Sequence, residues 1–89
     1  MRKVKWTVVK SYFVKGKLVH REIYGYSDTV KDCMKMIRGH KQIVMNDQEP
    51  FLHGAKHIKG IYNRSGLEVR AGNRLIEFRI YPVNIVMFD

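Results

Sequence analysis

The features that most constrain the fold are two short glycine-containing links, Lys15-Gly16 and Gly72-Asn73, each lying between two strand-like segments. From Val4 to Val14 the even positions are mostly apolar and the odd positions begin with Lys and Thr, an alternation typical of a strand with one apolar face. Lys15-Gly16 leads directly into a second run, Lys17 to Tyr24. Such a link favours a hairpin, so the N-terminal segment is predicted to form two antiparallel strands.

A two-residue loop at Lys15-Gly16 also predicts which residues of this hairpin face each other. The register pairs Tyr12 with Val19, Lys10 with Arg21, and Val8 with Ile23. The apolar partners then share one face. Lys10 opposite Arg21 is a like-charge pair, which is unfavourable in a sheet unless the pair is exposed or an anion lies nearby.

The second link, Gly72-Asn73, is flanked by Leu67 to Ala71 and Arg74 to Tyr81. A two-residue turn there makes Leu67 face Phe78 and Val69 face Ile76, which gives this hairpin one apolar face. The other face carries mixed charges and is interpreted as a solvated surface, formed by Glu68, Arg70, Glu77 and Arg79. After a turn at residues 82–84, the apolar run Ile85 to Phe88 predicts a last strand.

A single amphipathic helix is predicted over residues 28–38. Ser27-Asp28 supplies N-cap candidates, and Gly39 is placed to end the helix. The apolar residues between them recur at helical spacing, at Val30, Cys33, Met34 and Ile37. A basic stripe of Lys31, Lys35 and Arg38 runs beside them.

Between the helix and the second hairpin the sequence is less regular. Lys41 to Met45 is predicted to be a short strand, and Asn46 to Pro50 has the composition of a turn or loop. For residues 51–65, which contain Gly54 and Gly60, a helical turn, a strand and a loop all remain open.

These elements predict an α+β fold: an N-terminal β-hairpin, one amphipathic helix, a short strand and a three-stranded antiparallel meander, with the helix packed on the sheet. At 89 residues the chain is expected to be a single compact domain, 1–89. Lysines interrupt its apolar N-terminal residues and the longest apolar runs are far too short to cross a bilayer, so we expect a cytoplasmic protein without membrane contact. The single Cys33 cannot form an internal disulfide.

The charge is concentrated at one end of the chain. Of a net charge of +9, +8 falls within residues 1–41, where eleven Lys and Arg stand against three acids. Such a stretch favours a polyanionic partner, because cations neutralise phosphates and exposed aromatic rings stack on unpaired bases. The candidate polyanion-binding residues are Lys3, Lys5, Lys10, Lys15, Lys17, Arg21, Lys31, Lys35, Arg38, Lys41, Phe13, Tyr24 and Tyr26. Trp6 and Tyr12 are assigned to the core.

The leading hypothesis is a small, non-catalytic protein whose hairpin and helix bind nucleic acid, RNA or DNA, or a ribonucleoprotein. The main alternative is an accessory or inhibitor protein, of the kind that phages and mobile elements encode, which uses the same surface against an acidic host protein. The terminal strand Ile85 to Phe88 also predicts a homodimer, since an exposed apolar edge favours pairing with a second copy.

Sites for catalysis, metals or cofactors are not apparent in the sequence. Gly-rich phosphate loops, paired carboxylates and Ser-His-Asp patterns are missing. His53 and His57 are four residues apart, but no Cys or further ligand nearby completes a metal site, so they are interpreted as loop histidines. No cofactor is expected, and an enzymatic role is the less favoured class.

A second alternative comes from the C-terminal third. Its segments Leu-Glu-Val-Arg, Arg-Leu-Ile-Glu-Phe-Arg-Ile-Tyr and Asn-Ile-Val-Met-Phe, within Gly66 to Asp89, are loosely similar to the last three strands of mRNA-cleaving toxins of the RelE and HigB type. The resemblance covers under a third of the chain. It implies a ribonuclease that would use Arg70, Arg74, Arg79 and Tyr81.

Overall fold

The hairpin, the helix and the later strands assemble into an α+β fold in which one helix covers one face of an antiparallel sheet, which confirms the predicted fold class. The computed structural model describes residues 5–45 and 49–83, with only the backbone described for 42–45. The elements are β1 (Trp6–Val14), β2 (Lys17–Ser27), α1 (Val30–Met45), a 3-10 helix (Pro50–Leu52), β3 (Lys59–Asn63), β4 (Gly66–Ala71) and β5 (Arg74–Pro82). The five strands lie in the order β2-β1-β5-β4-β3.

The core lies between α1 and the sheet. In the second hairpin the predicted register is confirmed, with Leu67 paired to Phe78 and Val69 to Ile76. All four side chains are fully buried against the helix, where they join a cluster with Val8, Cys33, Ile37 and Leu52. Burial of this apolar face is the main contribution to the stability of the fold.

The first hairpin turns at Lys15-Gly16 as predicted, but its register is different. Lys15 (φ 52°) and Gly16 (φ 79°) both take the positive φ that a tight two-residue hairpin turn needs. Two β-bulges in β2, at Val19 and Tyr24, then shift the pairing. The predicted partners of Tyr12, Lys10 and Val8 are therefore wrong.

The observed partners are His20 for Tyr12, Glu22 for Lys10 and Gly25 for Val8. The predicted like-charge pair of Lys10 with Arg21 is absent, because the first bulge places Glu22 opposite Lys10 instead. Arg21 lies opposite Ser11 on the other face of the sheet, and its Nε donates to Ser11 Oγ at 3.0 Å. One extra residue thus separates two cations that simple alternation would have placed together.

The helix is longer than predicted, and the predicted strand Lys41 to Met45 is wrong because these residues form its last turns. Thr29 Oγ1 accepts a hydrogen bond from Asp32 N at 3.1 Å and so acts as the N-cap. Gly39 does not end α1. A glycine inside a helix costs about 1 kcal/mol, and burial of His40 beyond it offsets that cost.

Residues 51–65, for which a helical turn, a strand and a loop remain open from the sequence, contain the end of the 3-10 helix and the strand β3. The Glu49 side chain caps the 3-10 helix by accepting from Phe51 N at 3.4 Å. β3 pairs with β4 and completes a three-stranded meander, β3-β4-β5. The predicted strand Ile85 to Phe88 lies outside the described residues, so the homodimer through it stays a prediction. No helix in the described ranges is long and apolar enough to cross a membrane.

Candidate functional site

The face of the sheet opposite α1, which we call the open face, has no described element packed on it. The helix contacts β1, β2, β4 and β5 from the other side, and the 3-10 helix and the residues after it pack against the same core. Side chains directly opposite each other in a ladder share one face, so the registers define the open face. Leu18, Ile23, Tyr26 and Ile61 lie on it and are each more than 40% exposed.

The open face forms four rows that run across the strands. Starting from the hairpin turns, they are Leu18-Phe13-Leu75-Arg70-Lys59, then Arg21-Ser11-Glu77-Glu68-Ile61, then Ile23-Val9-Arg79-Gly66-Asn63, and finally Tyr26-Thr7-Tyr81. On β1 this face carries the short, buried side chains of Ser11, Val9 and Thr7, and longer charged and aromatic side chains stand on the neighbouring strands β2 and β5. The result is a shallow surface with apolar, cationic and aromatic groups interleaved.

The charge of the open face is positive. Four exposed cations, Arg21, Lys59, Arg70 and Arg79, lie on it with two half-buried acids, Glu68 and Glu77. The acids face each other across β4 and β5, and each pairs with an arginine on its own strand: Arg70 Nη2 to Glu68 Oε1 at 3.4 Å, and Arg79 Nε to Glu77 Oε2 at 3.2 Å. These pairs hold arginines on the face while leaving a net positive charge.

The aromatic candidates divide between the two faces. Phe13 and Tyr26 lie on the open face, together with Tyr81, which the sequence had implicated only through the ribonuclease resemblance. Tyr24 lies on the helix side, where its ring packs edge-on against His40 and Phe78 at 5.0 and 5.7 Å between centroids. The second bulge explains this: Tyr24 and Tyr26 would share a face in a regular strand, but the extra residue separates them.

The cations of the hairpin and of the helix do not form one continuous surface. Lys31, Lys35 and Arg38 are exposed on the side of α1 away from its buried stripe, whereas Arg21 lies on the open face. The sheet and the helix lie between these groups. Lys41 is half-buried with its Nζ 4.7 Å from the Tyr62 ring centre, and Lys5, Lys15 and Lys17 are exposed at strand ends. Lys3 lies outside the described residues.

Lys10 is not at the surface at all. It is only 4% exposed, and its Nζ donates to Glu49 Oε2 at 2.8 Å. His40 Nε2 lies 3.0 Å from both of these atoms, which makes a buried triangle of Lys, His and Glu between β1, α1 and the 3-10 helix. Lys10 is therefore unavailable to a polyanion in this structure, because it is the buried partner of Glu49.

The pKa values in this triangle follow from burial and charge. Burial and the adjacent Lys10 ammonium lower the pKa of His40, although its hydrogen bond to Glu49 opposes them. Burial alone would raise the pKa of Glu49, but the hydrogen bond and positive charge of Lys10 outweigh it, and the pKa is lowered. At neutral pH the triangle therefore holds a Lys-Glu ion pair beside a neutral histidine, which tethers the segment around Glu49 to the sheet.

A second polar cluster lies beside the triangle and is exposed. Tyr12 OH donates to Glu22 Oε1 at 3.0 Å, and His20 Nε2 lies 3.3 Å from Glu22 Oε2. The hydrogen bond from Tyr12 lowers the pKa of Glu22, while burial raises that of Tyr12. The sequence did not predict either cluster. The available signal was Lys10, a charged residue among the apolar even positions of β1.

The remaining candidates are dispersed. Arg70, Arg79 and Tyr81 lie on the open face, but Arg74 lies on the helix side and donates from Nη1 to the carbonyl oxygens of Phe51 and His53 at 3.2 and 3.3 Å. The four residues implied by the ribonuclease resemblance are thus not brought together. His53 and His57 are exposed, and the described part of the chain contains no group of three side chains suited to hold a metal ion.

Comparisons with known proteins add no family. No family model, curated protein or solved structure matches this chain.

Proposed function

We propose that this protein is a cytoplasmic, non-catalytic nucleic-acid-binding protein that holds a single strand of RNA or DNA on the open face of its sheet. The observation that supports this most is the arrangement in rows, which places cations and aromatic rings side by side on a surface that no described element covers. This differs from the hairpin-and-helix surface that the sequence favoured, because Lys10 is buried and the helix cations face away from the sheet.

The cations of the open face supply the general attraction. Arg21, Lys59 and Arg79 come from β2, β3 and β5, so they span the width of the sheet. Each can contact a phosphate oxygen, and a flexible strand laid across the sheet can reach all three. Binding of this kind depends on the release of counterions and weakens steeply as the salt concentration rises.

The aromatic rings favour an unpaired strand over a duplex. Tyr26 and Tyr81 flank Thr7 in the last row, on strands two positions apart in the sheet, a separation of about 10 Å. Unpaired bases expose their flat faces, and stacking on a tyrosine tolerates any base. Bases inside a duplex already stack on each other and do not expose their flat faces, so the tyrosine rings cannot stack on them.

Two triple variants with equal charge changes test the proposal. In the first, Arg21→Gln, Lys59→Gln and Arg79→Gln remove three cations from the open face. In the second, Lys31→Gln, Lys35→Gln and Arg38→Gln remove three from α1. Both are titrated, with the unaltered protein, against fluorescent single-stranded and duplex RNA and DNA of one sequence at several salt concentrations.

We expect single strands to bind more tightly than duplexes. The open-face variant should lose most of the affinity, and its slope of log affinity against log salt should fall by about 2, since each single-strand phosphate contact contributes roughly 0.7. The helix variant should keep most of the slope. Equal losses in the two variants, or no binding at low salt, would contradict the proposal.

Two further assays, together with these titrations, separate the alternatives. If an acidic host protein is the partner, the protein should recover a binding protein from a nuclease-treated lysate while failing to bind any oligonucleotide. If the protein is a ribonuclease, the RNA should be shortened after incubation, and Arg79→Ala should abolish the cleavage. Intact RNA recovered from a tight complex supports binding without catalysis.

A further inference from the structure

A cavity of about 400 Å³ lies where the first row of the open face ends, between the two hairpin turns. Phe13 and Leu75, which are direct partners across β1 and β5, form its apolar part. Lys15, Arg70 and Arg74 add three cationic side chains to its lining. Its volume lies within the range of about 300–1,000 Å³ that is common for small-molecule sites.

The turns that enclose the cavity are fixed to each other. Lys15 N donates to Asn73 O at 2.8 Å, which joins the turn between β1 and β2 to the turn between β4 and β5. The Arg74 guanidinium is anchored through the carbonyl oxygens of Phe51 and His53. A ligand would therefore meet a turn backbone whose position is largely set in advance, which reduces the entropy lost on binding.

The electrostatics of the cavity favour an anion. Glu77 is the acid in its lining, and its carboxylate is paired with Arg79. The lining Arg70 is paired with Glu68 in the same way, so after these two ion pairs Lys15 and the anchored Arg74 supply the excess positive charge. An apolar floor beside an excess of positive charge matches a nucleotide, whose base or sugar packs on Phe13 and Leu75 while its phosphate is bound by the cations.

We propose that this cavity binds the terminal nucleotide of the strand held on the open face and recognises a phosphate monoester at its end. This inference rests on the proposed function. The position of the cavity favours the end of a strand of nucleic acid, because the first row is the outermost one and the sheet ends at the two joined turns beyond it. A terminal monoester carries about 1.5 to 2 negative charges at neutral pH, against one for an internal phosphodiester, so the excess positive charge of the cavity favours the terminal group.

The test compares three single-stranded oligonucleotides of one sequence: with a 5′-phosphate, with a 3′-phosphate, and with neither. We expect one of the phosphorylated strands to bind about tenfold more tightly than the unphosphorylated strand, and its identity gives the direction in which the strand lies. This preference should fade as the pH falls through about 6, where the monoester gains a proton.

A variant chosen to preserve the turn removes the preference. Lys15→Asn takes away one cation and creates Asn-Gly, the favoured sequence for a turn with two positive φ values, so folding should be maintained. Combined with Arg70→Gln, it should reduce the gain from the terminal phosphate to less than about threefold. The matched control is Lys31→Gln with Lys35→Gln, which should leave the gain unchanged.

The outcomes distinguish this inference from the proposed function. If all three strands bind equally, the terminal site is wrong while the open-face proposal stands. If the phosphate gain survives Lys15→Asn with Arg70→Gln, the phosphate is bound elsewhere and the inference is overturned. If no strand binds, both proposals fail.

Discussion

On the face of the sheet that α1 covers, Lys10 is 4% exposed and paired with Glu49, whereas on the open face four cations remain accessible to solvent. Removing a buried cation leaves its partner charged and without compensation, but removing an exposed one leaves a group that water can solvate. The cations of this chain therefore have two roles. Position relative to the sheet, rather than the charge count, decides which residues a partner can reach.

The largest effect that tests this comparison is on stability. Lys10→Ala should lower the free energy of unfolding by about 3–5 kcal/mol, because the Glu49 carboxylate would remain buried beside a neutral His40. Arg79→Ala on the open face should cost less than about 1 kcal/mol, since its ion pair with Glu77 is partly exposed. Urea denaturation followed by circular dichroism measures both.

A paired substitution keeps that test informative if Lys10→Ala fails to fold. Lys10→Met with Glu49→Gln removes both charges and retains most of the volume, so it should be more stable than Lys10→Ala alone. If Lys10→Ala and Arg79→Ala lowered the free energy of unfolding equally, the proposed difference between the two faces would be contradicted.

Two tyrosines of β2 allow a sharper comparison of binding. Tyr26→Ala on the open face should weaken single-strand binding by about 1–3 kcal/mol, the usual contribution of stacking on one base. Tyr24→Ala changes the same residue type at similar exposure, 36% against 42%, but on the helix side. It should leave the affinity of the folded protein within about twofold.

Fluorescence anisotropy at one moderate salt concentration is the measurement, with circular dichroism to confirm that each tyrosine variant is folded. A loss of affinity in Tyr24→Ala as large as that in Tyr26→Ala would show that the helix side also contacts the strand.

The smallest expected effect is the change in the free energy of unfolding at acidic pH. The pKa of His40 is below its ordinary value of 6.5 and that of Glu49 below 4.5, so the unfolded chain binds protons at higher pH than the folded one does. Stability should therefore be greatest above about pH 6.5 and decrease on acidification, first through His40 and then through Glu49. Protonation of one group lowers the free energy of unfolding by at most about 1.4 kcal/mol per pH unit.

His40→Gln should remove the upper part of this decrease and leave the part below about pH 5. Urea denaturation at pH 7.5, 6, 5 and 4 measures it, with His53→Gln, an exposed histidine, as the control. A steep decrease between pH 7 and 6 that persists in His40→Gln would assign the effect to another group.

The sequence predicted the parts of this fold that depend on local signals. The turns at Lys15-Gly16 and Gly72-Asn73 are where their composition places them, and the pairing of Leu67 with Phe78 follows directly from the second. The helix end was missed because Gly39 is a local signal to stop, whereas burial of His40 against the sheet is a tertiary one. Contacts formed only on folding outweigh a residue's own preference.

The candidate site was less accessible to sequence reasoning. Alternation assigns faces correctly only while no residue is inserted, and nothing in the composition of β2 marks Val19 or Tyr24 as an extra residue. The partner of Lys10 was equally hidden, since Glu49 lies 39 residues away in an irregular segment. The arginines of the second hairpin were interpreted as solvated scaffold because an open face is a property of the whole sheet.

The two bulges also affect how copies of this protein meet. β2 is an edge strand whose outer side has no partner among the described residues, and it carries five of the exposed large apolar side chains: Leu18, Val19, Ile23, Tyr24 and Tyr26. A regular edge of that composition would template fibrous aggregation. The irregularities at Val19 and Tyr24 leave only four evenly spaced residues between them, which shortens the regular edge that another chain could extend. The bulges therefore oppose pairing of β2 with a second copy, although this edge is rich in apolar side chains.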